Sequence, residues 1–320
     1  MKVTKYILGF CCAGACVMGV ASVAAQQYPF KSIRIVTAVP GGGTDFLSRS
    51  IAQAISGPLG QQVIVDNRPS GVTQADIVAK ATADGHTVLS TSNILWVGPL
   101  LQRAPYDPIR DFSPITLAAS SPAVLLVNPL LPVKSVKDLI ALARGKPGAL
   151  NYGSAGAGGS THLPAELFKS MAGVNIVLIP YKGSGPAITA LIGNEVQIMF
   201  STGGSAAPHI KSGRVRALAV TSAKPSALFP EYPTVAASGL PGYESDVIYG
   251  VFAPSKTPAS AVTRLNSEIV QALGNADLRA RLFVAGLDVV ASSPAELGAE
   301  VKADMARTAK VIKDAGIRAE

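Results

Sequence analysis

Short apolar runs alternate along the chain with longer amphipathic segments, and each such pair indicates a strand followed by a helix. Residues 33–37 form the first apolar run, and apolar positions with helical spacing follow at 44–56. The same order continues with predicted strands at 63–65 and 86–91 and a predicted helix at 72–81 between them. Alternation of this kind predicts an α/β fold in which most strands run parallel.

The strand and helix order starts again after a section punctuated by prolines. A buried strand is predicted at 124–127, and the next helix is expected to have Ser135 as its N-cap and to end before Gly145. Further strands are predicted at 149–152, 175–179, 196–200, 215–221 and 248–253, and further helices at 161–172, 185–193, 205–211, 258–273 and 294–315. The second half of the chain therefore repeats the alternation of the first half.

This repetition predicts two lobes. A chain of 320 residues exceeds one typical core, and no low-complexity linker separates its halves. We predict a first lobe of residues 27–123 plus 224–320 and a second lobe of residues 124–223, with a ligand cleft between them. The composition, 48% hydrophobic and 15% charged, is typical of a compact protein with a large core.

Two glycine-rich turns join a predicted strand to a predicted helix. Residues 41–45 read G-G-G-T-D, and residues 151–166 read N-Y-G-S-A-G-A-G-G-S-T-H-L-P-A-E, with Ser160 or Thr161 as the expected helix cap. Glycine lets a ligand approach the backbone, and the free N–H groups at a helix start attract an anion. Each turn alone is equally compatible with an ordinary βα connection. Together they predict two lobes that close on one anionic ligand.

Other candidate side chains follow predicted strands, at the carboxyl ends where open α/β sheets bind ligands. Trp96, the only tryptophan, fits either an apolar cleft wall or the core. Asp45 is expected to complement the helix dipole and to hold neighbouring loop N–H groups in place. The predicted ligand-binding set is Gly41, Gly42, Gly43, Thr44, Asp45, Asn93, Trp96, Ser154, Ala155, Gly156, Gly158, Ser160, Thr161, His162, Tyr181, Ser201 and Thr202. The alternative for His162 is a histidine at the surface, or behind the residues that touch the ligand, that makes no ligand contact itself.

The amino-terminal segment has the order of a secretory signal peptide. Lys2 and Lys5 precede an apolar run at 6–20, and small residues then lead to Gln26. We predict that residues 1–25 are removed and that the protein is periplasmic. A retained membrane helix is the alternative, but it would need about 20 apolar residues and usually a charged stop.

All three cysteines, Cys11, Cys12 and Cys16, lie within this predicted leader. The mature chain is therefore expected to contain no thiol, disulfide or cysteine-bound metal. A further alternative to removal of the leader alone is lipidation of Cys11 or Cys16. The residues before these cysteines do not fit a lipoprotein signal and therefore disfavour lipidation.

The net charge of the chain and the spacing of its reactive side chains exclude several classes of function. Loss of the leader lowers the formal net charge from +8 to +6, a surplus that favours anionic ligands. The basic residues are scattered and aromatic residues are few, which argues against a nucleic-acid partner. No nucleophile elbow, phosphate loop or dinucleotide fingerprint is present.

The histidines His86, His162 and His209 are far apart in sequence, so no metal site is expected. Because the dinucleotide fingerprint is also missing, no cofactor is expected. The rival interpretation is a secreted hydrolase that uses Ser154 or Ser160 with His162. Such an enzyme needs a carboxylate that orients His162 and an exposed serine, and the sequence shows neither. A scaffold protein without a small ligand is a third interpretation. We predict a binding protein rather than an enzyme.

Several longer motifs occur in a fixed order. They are I-R-I-V and G-G-G-T-D within 33–45, G-Q-Q-V-I-V-D-N-R at 60–68, D-G-H-T-V-L at 84–89, P-Y-D-P-I-R-D-F at 105–112, L-N-Y-G-S-A-G-A-G-G-S-T-H-L at 150–163, P-Y-K-G at 180–183, G-R-V-R-A-L-A-V-T-S at 213–222, and P-T-V-A-A-S-G-L-P-G-Y-E at 233–244. From about Tyr28 to the C-terminus the chain resembles the extracytoplasmic solute receptors of tripartite tricarboxylate transporters, often called Bug-type receptors. Two departures from the family pattern are the segment Thr37-Ala38-Val39-Pro40 and the serine Ser201 after Met199-Phe200.

The resemblance implies a two-lobed fold of the type II periplasmic-binding-protein kind, in which each lobe is a mostly parallel sheet flanked by helices. It also implies that the two strand-turn-helix loops hold the carboxylate of a small organic acid, partly through backbone N–H groups and ordered water. Delivery of that acid to the integral-membrane subunits of a transporter follows from the same resemblance. We expect the receptor itself to be a monomer.

Overall fold

The computed structural model describes residues 28–68, 72–154 and 159–317. The predicted leader and the turn residues Ala155, Gly156 and Gly158 lie outside these ranges. The strands are β1 (Ile33–Thr37), β2 (Val63–Asn67), β3 (Thr87–Ser92), β4 (Phe112–Val127), β5 (Asn151–Ser154), β6 (Val177–Pro180), β7 (Ile198–Thr202), β8 (Arg216–Val220), β9 (Asp246–Pro254) and β10 (Asp288–Val289). The helices are α1 (Gly43–Leu59), α2 (Val72–Ala79), α3 (Ile94–Leu101), α4 (Val136–Gly145), α5 (Leu163–Ala172), α6 (Ser184–Ile192), α7 (Gly203–Lys211), α8 (Ala259–Leu273), α9 (Ala276–Val284) and α10 (Pro294–Ala315).

Two groups of parallel strands are joined by long antiparallel strands. One group has the order β2-β1-β3, and the other has the order β6-β5-β7. The first part of β4 pairs with β9, and its last residues pair with β7 and β8, all antiparallel. Because β9 also pairs with β3, the two parallel groups become parts of one curled sheet. The predicted α/β fold with two lobes is confirmed.

The buried apolar side chains form clusters that separate into two groups. Two clusters take their buried members from residues 33–119 and 247–301, and two take theirs from residues 124–243. Phe229 and Tyr243 pack in the second group, although the strand pattern places the return to the first lobe at residue 224. The lobe boundaries themselves stay a prediction.

The starts of two helices show how local sequence sets the elements. Ser135 caps α4 as predicted, and its hydroxyl accepts a hydrogen bond of 3.1 Å from the Asp138 N–H. The predicted hydroxyl cap of α5 is wrong, because His162 is the N-cap residue and its side chain makes no capping bond. The carbonyl of Gly159 accepts hydrogen bonds from the N–H groups of His162 and Leu163 there. A backbone carbonyl group thus bonds the N–H groups at the start of α5, where a hydroxyl of Ser160 or Thr161 was expected.

The last helix, α10, connects the two groups of clusters. It begins with a capping box in which Ser293 and Glu296 bond each other's backbone, and it packs against β4, α3 and α5. Among the helices of the described ranges, none combines the length and the hydropathy of a membrane-spanning segment.

Candidate functional site

Residues from both groups of clusters line a cleft of about 570 Å³. The cleft is bounded by the β1–α1 turn, the end of β3, helices α2, α3, α5 and α10, and the start of β9. Its lining residues are Ala38, Thr44, Gln74, Thr91, Ser92, Asn93, Ile94, Val97, Gly159, Ser160, Leu163, Pro164, Leu167, Ser170, Met171, Gly242, Glu244, Ser245, Asp246, Val247, Tyr249, Asp304, Arg307, Thr308, Lys310, Val311 and Asp314. Of the predicted set, Thr44, Asn93 and Ser160 are in this lining.

The first glycine turn is held in shape by Asp45, which is buried in the first turn of α1. Its carboxylate accepts hydrogen bonds from the Gly41 N–H at 3.1 Å and from Asn67 Nδ2 at 2.7 Å, and it forms an ion pair with Arg49 at 3.0 Å. Burial alone would raise the Asp45 pKa, but these hydrogen bonds and the Arg49 charge together lower the pKa below its usual value. Asp45 therefore supports the loop, as its position in the sequence predicts.

The turn leaves the start of α1 open to a ligand. Gly42 is the N-cap, and within the described residues no side chain caps the first-turn N–H groups. Its φ is −90°, so the positive φ that glycine allows is used at Gly41, where φ is 91°, and not at Gly42. A Cβ on Gly42 would meet no heavy atom within 4 Å, whereas a Cβ on Gly43 would lie 3.0 Å from the Tyr249 hydroxyl. A side chain at Gly43 would therefore crowd Tyr249, whereas Gly42 faces open space.

The second turn is only partly within the described residues. Ser160 lines the cleft, while Ser154 and Thr161 are buried behind it with their hydroxyl oxygens 2.9 Å apart. Gly159 is also in the lining, so the entry to α5 borders the cleft. Ala155, Gly156 and Gly158 are outside the described ranges, and their contact with a ligand stays a prediction.

His162 points into the second group of clusters. It is 4% exposed, and its ring stacks on Tyr152 with ring centroids 6.3 Å apart. Glu166 does place a carboxylate oxygen 3.9 Å from His162 Nε2. That oxygen also accepts a 2.5 Å hydrogen bond from the Tyr152 hydroxyl and pairs with Lys169 at 2.6 Å. His162 is absent from the cleft lining, so this histidine and its neighbouring carboxylate lie away from the cleft.

The structure decides between the two interpretations of Trp96. The side chain is completely buried, its ring packs edge-on to Phe252, and its indole N–H donates a 2.6 Å hydrogen bond to Asp304. Trp96 is therefore a core residue and not a wall of the cleft. It contacts the cleft lining through Asp304.

The predicted residues at the strand ends of the second half lie elsewhere. Tyr181 packs beside Gly153, Ser201 is fully buried in β7, and the Thr202 hydroxyl donates to Ser205 at 3.2 Å. None of these three is in the cleft lining. Their predicted role in ligand binding has no support from this geometry.

One side of the cleft is acidic, which the sequence did not suggest. Arg307 forms ion pairs with Glu244 at 3.0 Å and with Asp304 at 3.1 Å. Asp246 lies beside this network and accepts a 3.3 Å hydrogen bond from Thr221. Burial and the nearby Glu244 raise the Asp246 pKa to about 7, in spite of the Thr221 hydrogen bond and Arg307. An anionic ligand should therefore place its charge at the glycine turns, away from this side.

The cleft residues that the sequence missed are mainly Gln74, Asp246 and Arg307. Asp246 follows the recognised motif at 233–244, and a carboxylate at a strand start was a usable signal. Gln74 and Arg307 lie on the helices α2 and α10, whose packing against the cleft is a tertiary feature.

The chain is similar to known proteins over most of its length. The family described as "Tripartite tricarboxylate transporter family receptor" matches residues 47–317. A protein of Pseudomonas sp. (strain P51), named "UPF0065 protein in tcbD-tcbE intergenic region", is 40% identical over 306 residues, which cover 93% of this chain and 91% of that protein.

Solved structures agree with this relationship. The structure described as "R. palustris Rpa4515 with adipate" is 37% identical, has a TM-score of 0.79, and covers 92% of this chain and 100% of its own. The structure of MatC (Rpa3494) from Rhodopseudomonas palustris with bound malate is 28% identical, has a TM-score of 0.74, and covers 89% of this chain and 100% of its own. The chain therefore belongs to the tripartite tricarboxylate transporter receptor family, a family of solute-binding receptors.

Proposed function

We propose that this protein is a periplasmic receptor that captures a small organic acid in the cleft between its lobes and delivers it to the membrane subunits of a tripartite tricarboxylate transporter. The observation that carries the proposal is the open start of α1: its N-cap residue, Gly42, provides no side-chain cap, and Thr44 in its first turn lines the same cleft as Ser160 at the entry to α5. A carboxylate there would accept hydrogen bonds from backbone donors at the positive end of the helix dipole.

The comparisons support an acid as the ligand. The similar proteins described with adipate and with malate both hold small carboxylates. The acidic side of the cleft, with Glu244, Asp246 and Asp304, limits where the negative charge can lie. Repulsion from that side and hydrogen bonding at the turns would act in the same direction and orient the acid.

Closure of the lobes would couple capture to delivery. A ligand that touches the β1–α1 turn on one lobe and Ser160 on the other favours the closed state only through contacts absent from the open state. The transporter subunits could then distinguish loaded from empty receptor by shape. We propose that the receptor acts as a monomer.

A thermal-shift screen of small organic acids tests the proposal. A ligand at a hundredfold excess over its Kd stabilises the fold by about 2.7 kcal/mol, which is readily measured. We expect at least one carboxylate to raise the melting temperature and calorimetry to confirm one site per chain. A melting temperature that rises with neutral or cationic compounds and with no acid would contradict the proposed function.

A further inference from the structure

Gln74 is a polar side chain enclosed at the wall of the cleft. The residue is 1% exposed, and it is part of the cleft lining. Its Oε1 atom is shielded from solvent and has no hydrogen-bond partner among the described residues. Gln74 lies on α2, which packs against β3 and β9, and Asn93 and Asp246, beside the ends of those strands, line the same cleft.

Fold stability does not explain a glutamine at this position. A buried amide oxygen without a partner costs free energy, and an apolar side chain of similar length would avoid that cost. The neighbouring buried residues of α2, Ala75 and Val78, are apolar and would accept such a side chain. A polar group that the cleft retains against this cost is expected to serve a ligand.

The charges in the cleft indicate what kind of ligand group Gln74 meets. The cationic side chains in the lining, Arg307 and Lys310, are already paired with carboxylates, Arg307 with Glu244 and Lys310 with Asp314. A second ligand carboxylate on this side would face Asp246 and Asp304 without a free cation among the described lining residues. An amide both donates and accepts, and a rotation of the amide exchanges the two roles. A hydroxyl or carbonyl is therefore the complementary group.

We propose that Gln74 is a specificity residue of the cleft, whose side-chain amide hydrogen-bonds a neutral hydroxyl or carbonyl substituent on the acid held at the glycine turns. This inference rests on the proposed function and goes one step further, because it selects hydroxy and keto acids over acids that lack such a group. A site built to hydrogen-bond a substituent discriminates strongly against the analogue without it.

Matched acids of equal length provide the test. Calorimetry with propionate and lactate, butyrate and 3-hydroxybutyrate, and valerate and levulinate should show at least one pair in which the substituted acid binds about tenfold or more tightly. In Gln74→Met that preference should fall to near onefold, with an unchanged or higher melting temperature. Gln74→Asn, which shortens the side chain by one methylene, should also lose most of the preference and serves if the methionine variant fails to fold.

Ser90→Ala is the matched control. The Ser90 hydroxyl is also buried and unpartnered among the described residues, but Ser90 does not line the cleft. Its removal should therefore leave the preference intact. A wild-type protein that binds acids with no preference, or that prefers adipate, which carries neither a hydroxyl nor a keto group, to every acid of the panel, would overturn this inference and leave the proposed function standing. The same holds if the Gln74 variants keep the wild-type preference. Absence of binding to every acid, adipate and malate included, would overturn the proposed function itself.

Discussion

Asn67 donates a hydrogen bond of 2.7 Å from Nδ2 to the Asp45 carboxylate, and the same nitrogen lies 2.6 Å from the Ala38 carbonyl oxygen. The end of β2 thus holds both the approach to the first glycine turn and the first turn of α1. Arg49 completes the arrangement, since it donates to the Asn67 side-chain oxygen at 2.7 Å. This contact keeps the open start of α1 in one shape before any ligand arrives.

Removal of the Asn67 side chain should weaken both the fold and the site. Asn67→Ala leaves the partly desolvated Asp45 carboxylate and the Ala38 carbonyl without this donor, and we expect a loss of about 1–3 kcal/mol in the free energy of unfolding. Acid affinity should fall as well, because the turn loses its shape. Asn128→Ala is the control: it removes a buried 2.7 Å hydrogen bond to Leu191 away from the cleft. Urea denaturation and calorimetry should show that only Asn67→Ala lowers affinity, and equal affinities in the two variants would contradict this account.

Asp45 gives a pH dependence with a defined sign. Its folded-state pKa is lowered, so the stability it contributes is present above the unfolded pKa of about 3.9 and is lost as the pH falls through the folded value. Wild type should therefore exceed Asp45→Asn in stability most at pH 6–7, by about 1–2 kcal/mol, and the gap should narrow toward pH 3. Denaturation at both pH values checks this, and a gap that widens in acid would show that the carboxylate is not held as described.

The contribution of Asp246 to folding stability should depend on pH in the opposite direction to that of Asp45. Its pKa is raised to about 7 by burial first and by Glu244 second, so its contribution is fully present below the unfolded pKa of about 3.9 and is lost as the pH rises through 7. We expect Asp246→Asn to be more stable than wild type at pH 8, by on the order of 1–2 kcal/mol, and nearly equal to it at pH 4.

The same substitution tests the electrostatics of the cleft. Loss of the Asp246 charge removes a repulsion, so Asp246→Asn should bind an acid severalfold more tightly than wild type at pH 8. Wild-type affinity should rise as the pH falls from 8 to 6, and the affinity of Asp246→Asn should change less. Titration calorimetry at the two pH values provides the measurement. Wild-type affinity that falls between pH 8 and pH 6 would be incompatible with the acidic side as described.

Variants of Ser160 and Ser170 can show which end of α5 binds the ligand. Both line the cleft, but only Ser160 lies beside the helix start. Ser160→Ala should weaken acid binding by about 1–2 kcal/mol, since one hydroxyl hydrogen bond to a charged group is lost. Ser170→Ala should bind with wild-type affinity. A larger loss in Ser170→Ala would move the carboxylate along the helix, and ester or amide turnover that disappears in Ser160→Ala would favour the hydrolase interpretation.

The hydrophobic pattern predicts elements well where periodicity and end signals agree. The strand at 33–37 coincides with β1, and the helix at 294–315 coincides with α10, which starts at a capping box. The first part of β4 was missed because Pro114 lies within it and proline usually excludes a central strand. The sheet accommodates Pro114 at a shift in the β4–β9 register between Pro114 and Thr116. A local signal could not show that irregularity.

The residues of the candidate site also differ in whether local sequence signals can predict them. Thr44, Asn93 and Ser160 follow strands or precede helices, and such positions can be recognised in the sequence. Trp96 also follows a strand. Its indole N–H, however, donates a buried hydrogen bond to the carboxylate of Asp304, which is 208 residues away in the sequence. Contacts of that sequence separation depend on the packing of α10 and cannot be derived from local pattern.

The most direct test of the central claim is the affinity of Gly42→Val for the acid that stabilises the wild-type protein most. Valine fits the extended backbone at Gly42 and meets no neighbouring atom, so the fold should keep its melting temperature while the side chain covers the first-turn N–H groups of α1. Gly145→Val, whose Cβ likewise meets open space at the end of α4, is the control. We predict that calorimetry will show at least a tenfold loss of affinity in Gly42→Val and wild-type affinity in Gly145→Val. A folded Gly42→Val protein that binds the acid as tightly as wild type would contradict the claim that the backbone at the start of α1 holds the carboxylate.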